Sequence, residues 1–130
     1  MADTSAVSLL DSPALIEAAG SPPKSIAEHV GRASTGAADL SIAHMRSPAG
    51  WSEPTQIPEF DEYTIVIAGR VTVDHQGGTV EVRQGQALLA PAGCQVRYRT
   101  PGGAEYISVC IPAFSPDLVH RHTRFIAGDG

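Results

Sequence analysis

Residues 60–82 constrain the fold more than any other part of the sequence. The stretch 60–73 is rich in β-branched residues and alternates from Glu62 onward, which predicts a long β-strand. Gly77 and Gly78 then supply the positive φ angles of a tight turn, and residues 79–82 alternate again as a returning strand. Gly69 interrupts the first strand, as a glycine does where a barrel strand bends or another backbone approaches. The sequence therefore predicts a central β-hairpin with a bend at Gly69.

The alternation assigns the side chains of the first strand to two faces. One face is predicted to carry Ile65, Ile67, Val71 and Val73, and the other Glu62, Thr64, Val66 and Ala68. Glu62 thus begins a face whose other members are apolar or small. Because carboxylates are seldom placed among apolar side chains without a partner, Glu62 is the first candidate for a functional role.

The chain is predicted to form one all-β domain. Its 130 residues suffice for a single core, and thirteen glycines and ten prolines indicate many turns between short strands. About seven or eight short strands with turns about every 8–12 residues are typical of a sandwich or a jelly-roll barrel. The sequence shows no internal repeat and no interdomain linker.

A short helical arm is predicted ahead of the barrel. Residues 12–20 place serine at the helix N-cap, proline at the first helical position and glycine at the end. Residues 25–31 fit either a further helical turn or an edge strand, and the sequence leaves both open. The predicted organisation is an N-terminal arm (residues 1–23), a barrel domain (24–122) and a C-terminal tail (123–130).

Charge and composition exclude several kinds of partner. The net charge is −5 and no basic stripe carries interleaved aromatic residues, so we expect no nucleic-acid binding. The N-terminus lacks the pattern of a signal peptide and no stretch is apolar enough to span a bilayer, so we expect a cytoplasmic protein with no membrane partner. Cys94 and Cys110 have no metal-binding spacing and are expected to be free thiols in a reducing compartment.

Two half-motifs carry a family resemblance. Glu62 is followed by six residues and then Gly69, and Gly85 is followed by five residues and then the run 91–93, Pro-Ala-Gly. This pairing resembles the two signature motifs of the cupin superfamily, which implies a double-stranded β-helix, or jelly-roll barrel. The resemblance covers roughly residues 24–122.

Within the superfamily the chain is most similar to the small cupins near the ethanolamine-utilisation cupin family. Residues 49–54, 58–63 and 112–117 carry that likeness. Acetate kinase activity is credited to that family. We do not carry this activity over, because the chain has no glycine-rich phosphate loop of recognisable type.

The resemblance implies a metal site in many family members, but the histidines of that site are absent here. The first family motif has His-x-His three or four residues before its glutamate. Those positions are Thr55 and Ile57, or Gln56 and Pro58, in this chain, and Val96 stands where the second motif has its histidine. We therefore expect no bound metal and no other cofactor.

The histidines that are present do not form a recognisable ligand cluster. His75 lies in the predicted hairpin turn, and His120 and His122 follow the last predicted strand, where we expect an exposed tail. A metal-dependent cupin with an unusual ligand set, such as Glu62 with His44, is kept as a third functional alternative.

If the face that carries Glu62 is the barrel interior, other strands contribute small and polar side chains to the same cavity. The predicted lining, with its substrate-binding candidates, is Thr64, Val96, Tyr98, Tyr106, Ser108 and Cys110. Trp51 and Gln56 are expected to orient a substrate at the rim. Three nearby acids are interpreted as solvated rim charges: Glu53, Glu59 and Asp61.

Glu62, Tyr98 and His44 are the catalytic candidates. Burial raises the pKa of a carboxyl, which suits Glu62 to general acid or base catalysis near neutral pH. Tyr98 would donate a hydrogen bond to a developing oxyanion, and His44 would act as a second acid-base group if it faces the same cavity. The alternative for each is a structural role, with Glu62 hydrogen-bonded to the barrel rim and His44 satisfied within the fold.

The leading functional hypothesis is a metal-independent cupin enzyme that transfers protons on a small organic substrate, as an isomerase, cyclase or lyase. The rival hypothesis is a non-catalytic cupin that binds a small molecule or serves as an accessory protein. We also expect a homodimer that pairs through sheet edges, because small cupins commonly do so and the N-terminal arm is long for a monomer of this size.

Overall fold

The protein folds into antiparallel strands that close into a jelly-roll barrel. The structure, a computed structural model, describes residues 6–122. The described residues form eleven strands: β1 (Ala14–Ile16), β2 (Ser25–Val30), β3 (Ser41–Ser47), β4 (Trp51–Ser52), β5 (Thr55–Gln56), β6 (Asp61–His75), β7 (Gly78–Arg83), β8 (Ala87–Ala90), β9 (Val96–Thr100), β10 (Ala104–Ile111) and β11 (Arg121–His122). A single 3₁₀ turn spans Pro116–Leu118. No helix in this part of the chain is long and apolar enough to cross a membrane.

Two sheets share the long strand β6. The first sheet runs in the order β1-β2-β3-β10-β6-β8, and the second contains β7, β6, β9, β5 and β11, with β4 paired to β9. The predicted hairpin is confirmed, since β7 pairs antiparallel with the second half of β6. All of these pairs are antiparallel. Because successive side chains of a strand point to opposite faces, alternate side chains face the barrel interior wherever the strand is regular.

The bend at Gly69 changes which side chains of β6 face inward. Gly69 has φ of +73°, and the ladder between β6 and β10 shifts register by one residue at Glu105 and Tyr106. A one-residue shift exchanges the two faces of a strand. Ile65 and Ile67 are consequently exposed, whereas Val71 and Val73 are buried. The prediction that these four residues share one face was therefore wrong.

The predicted helical arm is also absent. Within residues 12–20 the structure has strand β1, which pairs antiparallel with β2, so residues 25–30 form a strand rather than a helical turn. A helix of nine residues has little stability of its own, and pairing with the free edge of β2 satisfies the backbone better. The C-terminal tail predicted at residues 123–130 lies outside the described residues.

The core fills the space between the sheets with side chains from both. Its main cluster contains Trp51, Val66, Val71, Val73, Val82, Ala90, Val96, Tyr98 and Tyr106. A second cluster, of Phe60, Cys110 and Val119, closes one end. The cavity described below lies between these clusters and the strands β1 and β2.

We expect Gly69→Ala to lower the free energy of unfolding by roughly 2–4 kcal/mol, because alanine is strained at positive φ and its Cβ would collide with backbone. A Cβ at residue 69 would lie 2.3 Å from the carbonyl oxygen of Gly103. Urea unfolding monitored by circular dichroism measures the change. The matched control is Gly102→Ala, where a Cβ meets nothing within 4 Å. Equal effects at the two positions would contradict the proposed role of Gly69.

Candidate functional site

A cavity opens between the inner face of the first sheet and the rim segment that carries β4 and β5. Its volume is about 70 Å³, which restricts its contents to small molecules. The polar and ionisable lining includes Lys24, Glu53, Gln56, Glu62, Tyr98, Tyr106, Ser108, Cys110 and Arg121. The apolar lining includes Ile16, Ile26, Ala43, Met45, Phe60 and Phe114. Polar groups that converge on an enclosure with apolar walls are typical of a small-molecule site, and this cavity is unusually rich in ionisable groups.

Glu62 is the second residue of β6, and its side chain points into the cavity. The ladder pairs Glu62 with Cys110 and Thr64 with Ser108, so the inward faces of β6 and β10 meet here. Ser108 Oγ donates a hydrogen bond of 2.6 Å to Glu62 Oε2. Loss of solvent raises the pKa of Glu62, and the contacts with Ser108, Lys24 and Tyr98 oppose that rise. Part of the Glu62 population is therefore protonated at a pH where an exposed glutamate is ionised.

Glu53 is a second carboxyl in the cavity, and it was missed by the sequence analysis. Burial raises the pKa of Glu53 to about 7, while Lys24 lowers it and Glu62 raises it further. The backbone of Tyr98 approaches Glu53, with its N–H 3.5 Å from Oε2. The interpretation of Glu53 as a solvated rim charge was wrong, because the residues after β4 turn this side chain inward under the N-terminal segment.

Lys24 supplies a positive charge next to the two carboxyls. Its Nζ lies 3.1 Å from Tyr106 Oη and 4.0 Å from the centroid of the Trp51 ring. The ring attracts the ammonium and the Tyr106 hydroxyl oxygen accepts a hydrogen bond from it, so the charge is held at the cavity wall. Lys24 follows two prolines immediately before β2, and nothing in the local sequence distinguished it from a surface lysine.

Tyr98 presents a hydroxyl to the cavity. Its Oη is buried and interacts with Glu62 and Thr64, although neither contact has regular hydrogen-bond geometry among residues 6–122. Burial, followed by the charges of Glu62 and Glu53, raises the pKa of Tyr98 well above its usual value, so the group is a phenol and a donor. Burial likewise raises the pKa of Cys110, which keeps it a thiol and unsuited to nucleophilic attack.

Most of the predicted site residues meet at this cavity. Those that line it are Gln56, Glu62, Tyr98, Tyr106, Ser108 and Cys110. Trp51 is buried beside it and donates its Nε1–H to the carbonyl of Ala19 at 3.2 Å. Thr64 is buried but does not line the cavity.

Two predicted residues lie elsewhere. His44 faces away from the cavity, because Ser41, Ala43 and Met45 occupy the inward positions of β3. Its Nε2 lies 2.6 Å from Glu105 Oε2 on the outer side of the sheet. The expectation that His44 shares the cavity with Glu62 is therefore corrected. Val96 packs in the main core and lines a separate, shallow pocket with Val73 and Leu88.

The cavity residues do not fit the metal site that the cupin resemblance implies. Of the residues at the family's metal-ligand positions, Gln56 and Glu62 line the cavity. Transition metals take several histidine, cysteine or carboxylate ligands, and only Glu62 of these two is such a ligand. In the described part of the chain, no three histidine, cysteine or acidic side chains converge so as to hold a metal ion. His120 lies on an open surface instead, with Nε2 2.5 Å from Glu59 Oε2.

We expect Glu53→Gln to change how stability depends on pH. The pKa of Glu53 rises from 4.5 to about 7 on folding, so its stabilising proton is fully bound below pH 4.5 and is lost as the pH rises through 7. Between about pH 5 and about pH 8 the wild type should lose roughly 2–3 kcal/mol more stability than Glu53→Gln. Urea unfolding across this range measures the difference. Asp117→Asn, at an exposed acid, is the control, and parallel curves for wild type and Glu53→Gln would contradict the expectation.

Comparisons with solved structures agree with the observed topology. A putative ethanolamine utilization protein Q from Salmonella typhimurium LT2 has a TM-score of 0.63 at 18% identity, covering 78% of this chain and 97% of that chain. The EutQ protein of Clostridium difficile also has a TM-score of 0.63 at 18% identity, covering 82% and 75%. Oxalate decarboxylase from Bacillus subtilis has a TM-score of 0.64 at 23% identity, covering 85% and 30%. At these identities the likeness shows a shared fold.

A sequence relative and a family model add to this. The endoribonuclease YbeY of Myxococcus xanthus (strain DK1622) is 45% identical over 102 residues, which are 77% of this chain and 35% of that protein. The chain thus spans about one third of the length of that curated relative. The model of the cupin domain matches residues 43–111, which include both signature half-motifs and the strands that carry Glu62, Tyr98 and Ser108. The chain belongs to the cupin family.

Proposed function

We propose that this cupin is an enzyme that transfers protons on a small organic molecule held in the cavity. The observation that carries the proposal is the pair of carboxyls, Glu62 and Glu53, whose pKa values are both raised by burial in one small enclosure. General acid-base catalysis is most efficient when the pKa of the catalytic group lies near the working pH. Raised carboxyl pKa values in a cleft are typical of such sites.

Glu62 is the proposed base. In its ionised form it would accept a proton from a substrate carbon next to a carbonyl group, so that the C–H bond breaks and its electron pair moves onto the carbonyl oxygen. Ser108 holds one oxygen of Glu62 through the 2.6 Å hydrogen bond. A carboxylate has two oxygens with about four acceptor sites, so sites remain that could accept the substrate proton.

Tyr98 and Glu53 would complete the reaction. The Tyr98 hydroxyl, which lies close to Glu62 and Thr64 without a hydrogen bond of regular geometry in residues 6–122, would turn to donate to the developing oxyanion. Glu53, with a pKa of about 7, is partly protonated at neutral pH and would return a proton to a neighbouring atom. Passage of the abstracted proton from Glu62 to Glu53 would then restore both carboxyls, and the net result is an isomerisation. The same first step followed by loss of a leaving group, or by attack within the molecule, is the chemistry of a lyase or a cyclase.

Lys24 would contribute a positive charge that stabilises the negative charge of the intermediate. Its ammonium is held against Trp51 and Tyr106 and acts electrostatically on both Glu53 and Glu62. Such a fixed positive charge stabilises an anionic intermediate more in an enclosed site than in water. In the proposed steps, protons move only between the substrate and side chains of this chain.

A non-catalytic binding role is the second candidate, and the polar contacts of Glu62 favour it. The Ser108 hydrogen bond and the nearby Lys24 give Glu62 polar partners, as a purely structural carboxylate would require. The ribonuclease activity named for the Myxococcus protein is not proposed here. The match covers 35% of that protein, and a net charge of −5 does not favour binding to a phosphate backbone.

We expect Glu62→Gln to reduce proton exchange on a substrate by at least about 100-fold, because the amide cannot accept the proton. The measurement is ¹H NMR of a panel of small ketones and keto acids incubated with the enzyme in D₂O, in which deuterium replaces the acidic C–H. Tyr98→Phe is expected to slow the exchange by roughly 10–1000-fold through loss of the oxyanion donor.

Glu81→Gln is the matched control, since Glu81 is an exposed carboxyl whose partners are Arg70 and Arg83. It should exchange at the wild-type rate. Binding of a panel member without exchange by the wild type would favour the non-catalytic role. Exchange that is unchanged in a folded Glu62→Gln protein would overturn the assignment of Glu62 as the base.

A further inference from the structure

Two cations line the cavity without a carboxylate in direct contact. Lys24 and Arg121 both contribute to its wall. Among residues 6–122, no carboxylate oxygen lies within 4.0 Å of the Lys24 ammonium or the Arg121 guanidinium. Positive charge that can meet a ligand is therefore present at the cavity. The arginines on the outer faces of the two sheets, by contrast, each have a carboxylate partner: Arg46, Arg70, Arg83, Arg97 and Arg99.

The Lys24 ammonium keeps one hydrogen-bond donor unused. An ammonium has three N–H donors, and within the described chain Nζ contacts Tyr106 Oη at 3.1 Å and Met45 Sδ at 3.3 Å. The centroid of the Trp51 ring lies 4.0 Å from Nζ, and the ring attracts the charge through its face rather than through a lone pair. These neighbours fix the ammonium in place, and its third N–H remains available to an oxygen in the cavity.

Arg121 and Gln56 form a neighbouring pair on the rim. Strand β11 pairs antiparallel with β5, and Arg121 lies directly opposite Gln56 in that ladder. Directly opposed residues present their side chains on the same face, and both of these line the cavity. Gln56 is 5% exposed, and its carboxamide has no hydrogen-bond partner among residues 6–122. Because a buried amide without a partner costs stability, a polar ligand would complete this pair.

The acids of the cavity do not cancel this positive charge. Lys24 and Arg121 both act electrostatically on the Glu53 carboxyl, and Lys24 also acts on Glu62. Burial raises the pKa of both acids, so together they carry less negative charge than two exposed glutamates. The enclosure is therefore net positive whenever either acid holds a proton, and an anionic ligand would neutralise it.

We propose that Lys24, Arg121 and Gln56 form a subsite for the carboxylate of a small α-keto acid. Ammonium and guanidinium groups donate charge-assisted hydrogen bonds to a carboxylate, and the amide N–H groups of Gln56 add neutral donors. Three donor groups from two segments of the chain would hold the two carboxylate oxygens in one orientation. Such a subsite selects an anion over a neutral molecule of the same shape.

The volume and the apolar wall of the cavity limit the rest of the ligand. A water-sized atom needs roughly 10–15 Å³, so a cavity of about 70 Å³ admits roughly five to seven non-hydrogen atoms. An acid of about three or four carbon atoms fits this limit. The apolar wall suits its hydrocarbon end and includes Ile16, Ile26, Phe60 and Phe114.

The keto group follows from the proposed function, on which this part of the inference rests. Glu62 is proposed to remove a proton from a carbon next to a carbonyl group. In an α-keto acid the carbonyl carbon is bonded to the carboxylate, so a cation that binds the carboxylate also lies near the developing oxyanion. Lys24 would thus serve both binding and charge stabilisation. Glu62 comes from the first sheet, whereas Arg121 and Gln56 come from the rim strands β11 and β5.

Calorimetric titration with pyruvate and pyruvamide tests the subsite and does not depend on turnover. The two molecules share their size, but an amide replaces the carboxylate. The wild type should bind pyruvate with a dissociation constant of about 1 mM or less and pyruvamide at least about 10-fold more weakly. Lys24→Gln and Arg121→Gln should each weaken pyruvate binding at least about 10-fold and leave pyruvamide binding unchanged. Arg46→Gln, at an exposed arginine paired with Glu105, is the matched control and should bind both as the wild type does.

The indole N–H signal of Trp51 gives a readout that needs no variant at the subsite. Trp51 is the single tryptophan of the sequence, so one ¹H–¹⁵N signal reports on the ring beside Lys24. Pyruvate should shift this signal in a saturable manner, and pyruvamide should do so only at higher concentration. Equal affinity for the two ligands, or no saturable pyruvate binding up to about 10 mM, would overturn the proposal. Wild-type affinity for pyruvate in folded Lys24→Gln and Arg121→Gln proteins would also overturn it.

Deuterium exchange in D₂O separates the subsite from the proposed catalysis. Pyruvate that binds as expected and exchanges no deuterium would support the subsite and overturn the assignment of Glu62 as the base. Exchange on neutral ketones as fast as on α-keto acids would support the base and overturn the subsite.

Discussion

The antiparallel ladder between β6 and β10 determines where every important side chain of this protein points. Its register sets Glu62 opposite Cys110 and Thr64 opposite Ser108, so that one face of both strands forms the cavity wall. A slip by one residue would turn Glu62 to the outside and bring Tyr63 and Ile65 into the cavity. The bulge at Ile67 of β6, opposite Glu105 and Tyr106, confines this arrangement to the first half of β6 and lets the second half fill the core with Val71 and Val73.

Enclosure by this ladder and by the N-terminal segment gives the cavity its electrostatic character. Trp51 Nε1 donates to the carbonyl of Ala19, and Ser21 bridges to Ser52, so the segment before β2 is bound to the rim. Gly20 permits that close approach, since a Cβ there would lie 2.3 Å from the carbonyl oxygen of Ser52. Glu53 and Lys24 thereby line the same cavity as Glu62. Removal of water from two carboxyls and one ammonium raises the pKa of both acids and strengthens their interaction with the cation.

The sequence predicted the barrel, the central hairpin and the place of Glu62, because these depend on alternation and on glycine spacing along the chain. It did not predict the reversal of faces after Gly69, which depends on a bulge in the pairing with a distant strand. His44 was assigned to the cavity because the inward face of β3 cannot be chosen without knowing its partner. Lys24 and Glu53 were missed for a similar reason. Their proximity arises from a contact between segments far apart in sequence, and the residues next to each resemble an ordinary surface.

The same alternation that turns Glu62 into the cavity turns Tyr63 and Ile65 to the outside, so the cavity and these apolar side chains lie on opposite sides of β6. The central claim concerns the inner side, where burial raises the pKa values of Glu62 and Glu53. Titration of the side-chain carboxyl ¹³C signals of both residues by NMR tests it most directly. The account predicts a midpoint of about 7 for Glu53 and one above 4.5 for Glu62. Midpoints near 4.5 for both would contradict it.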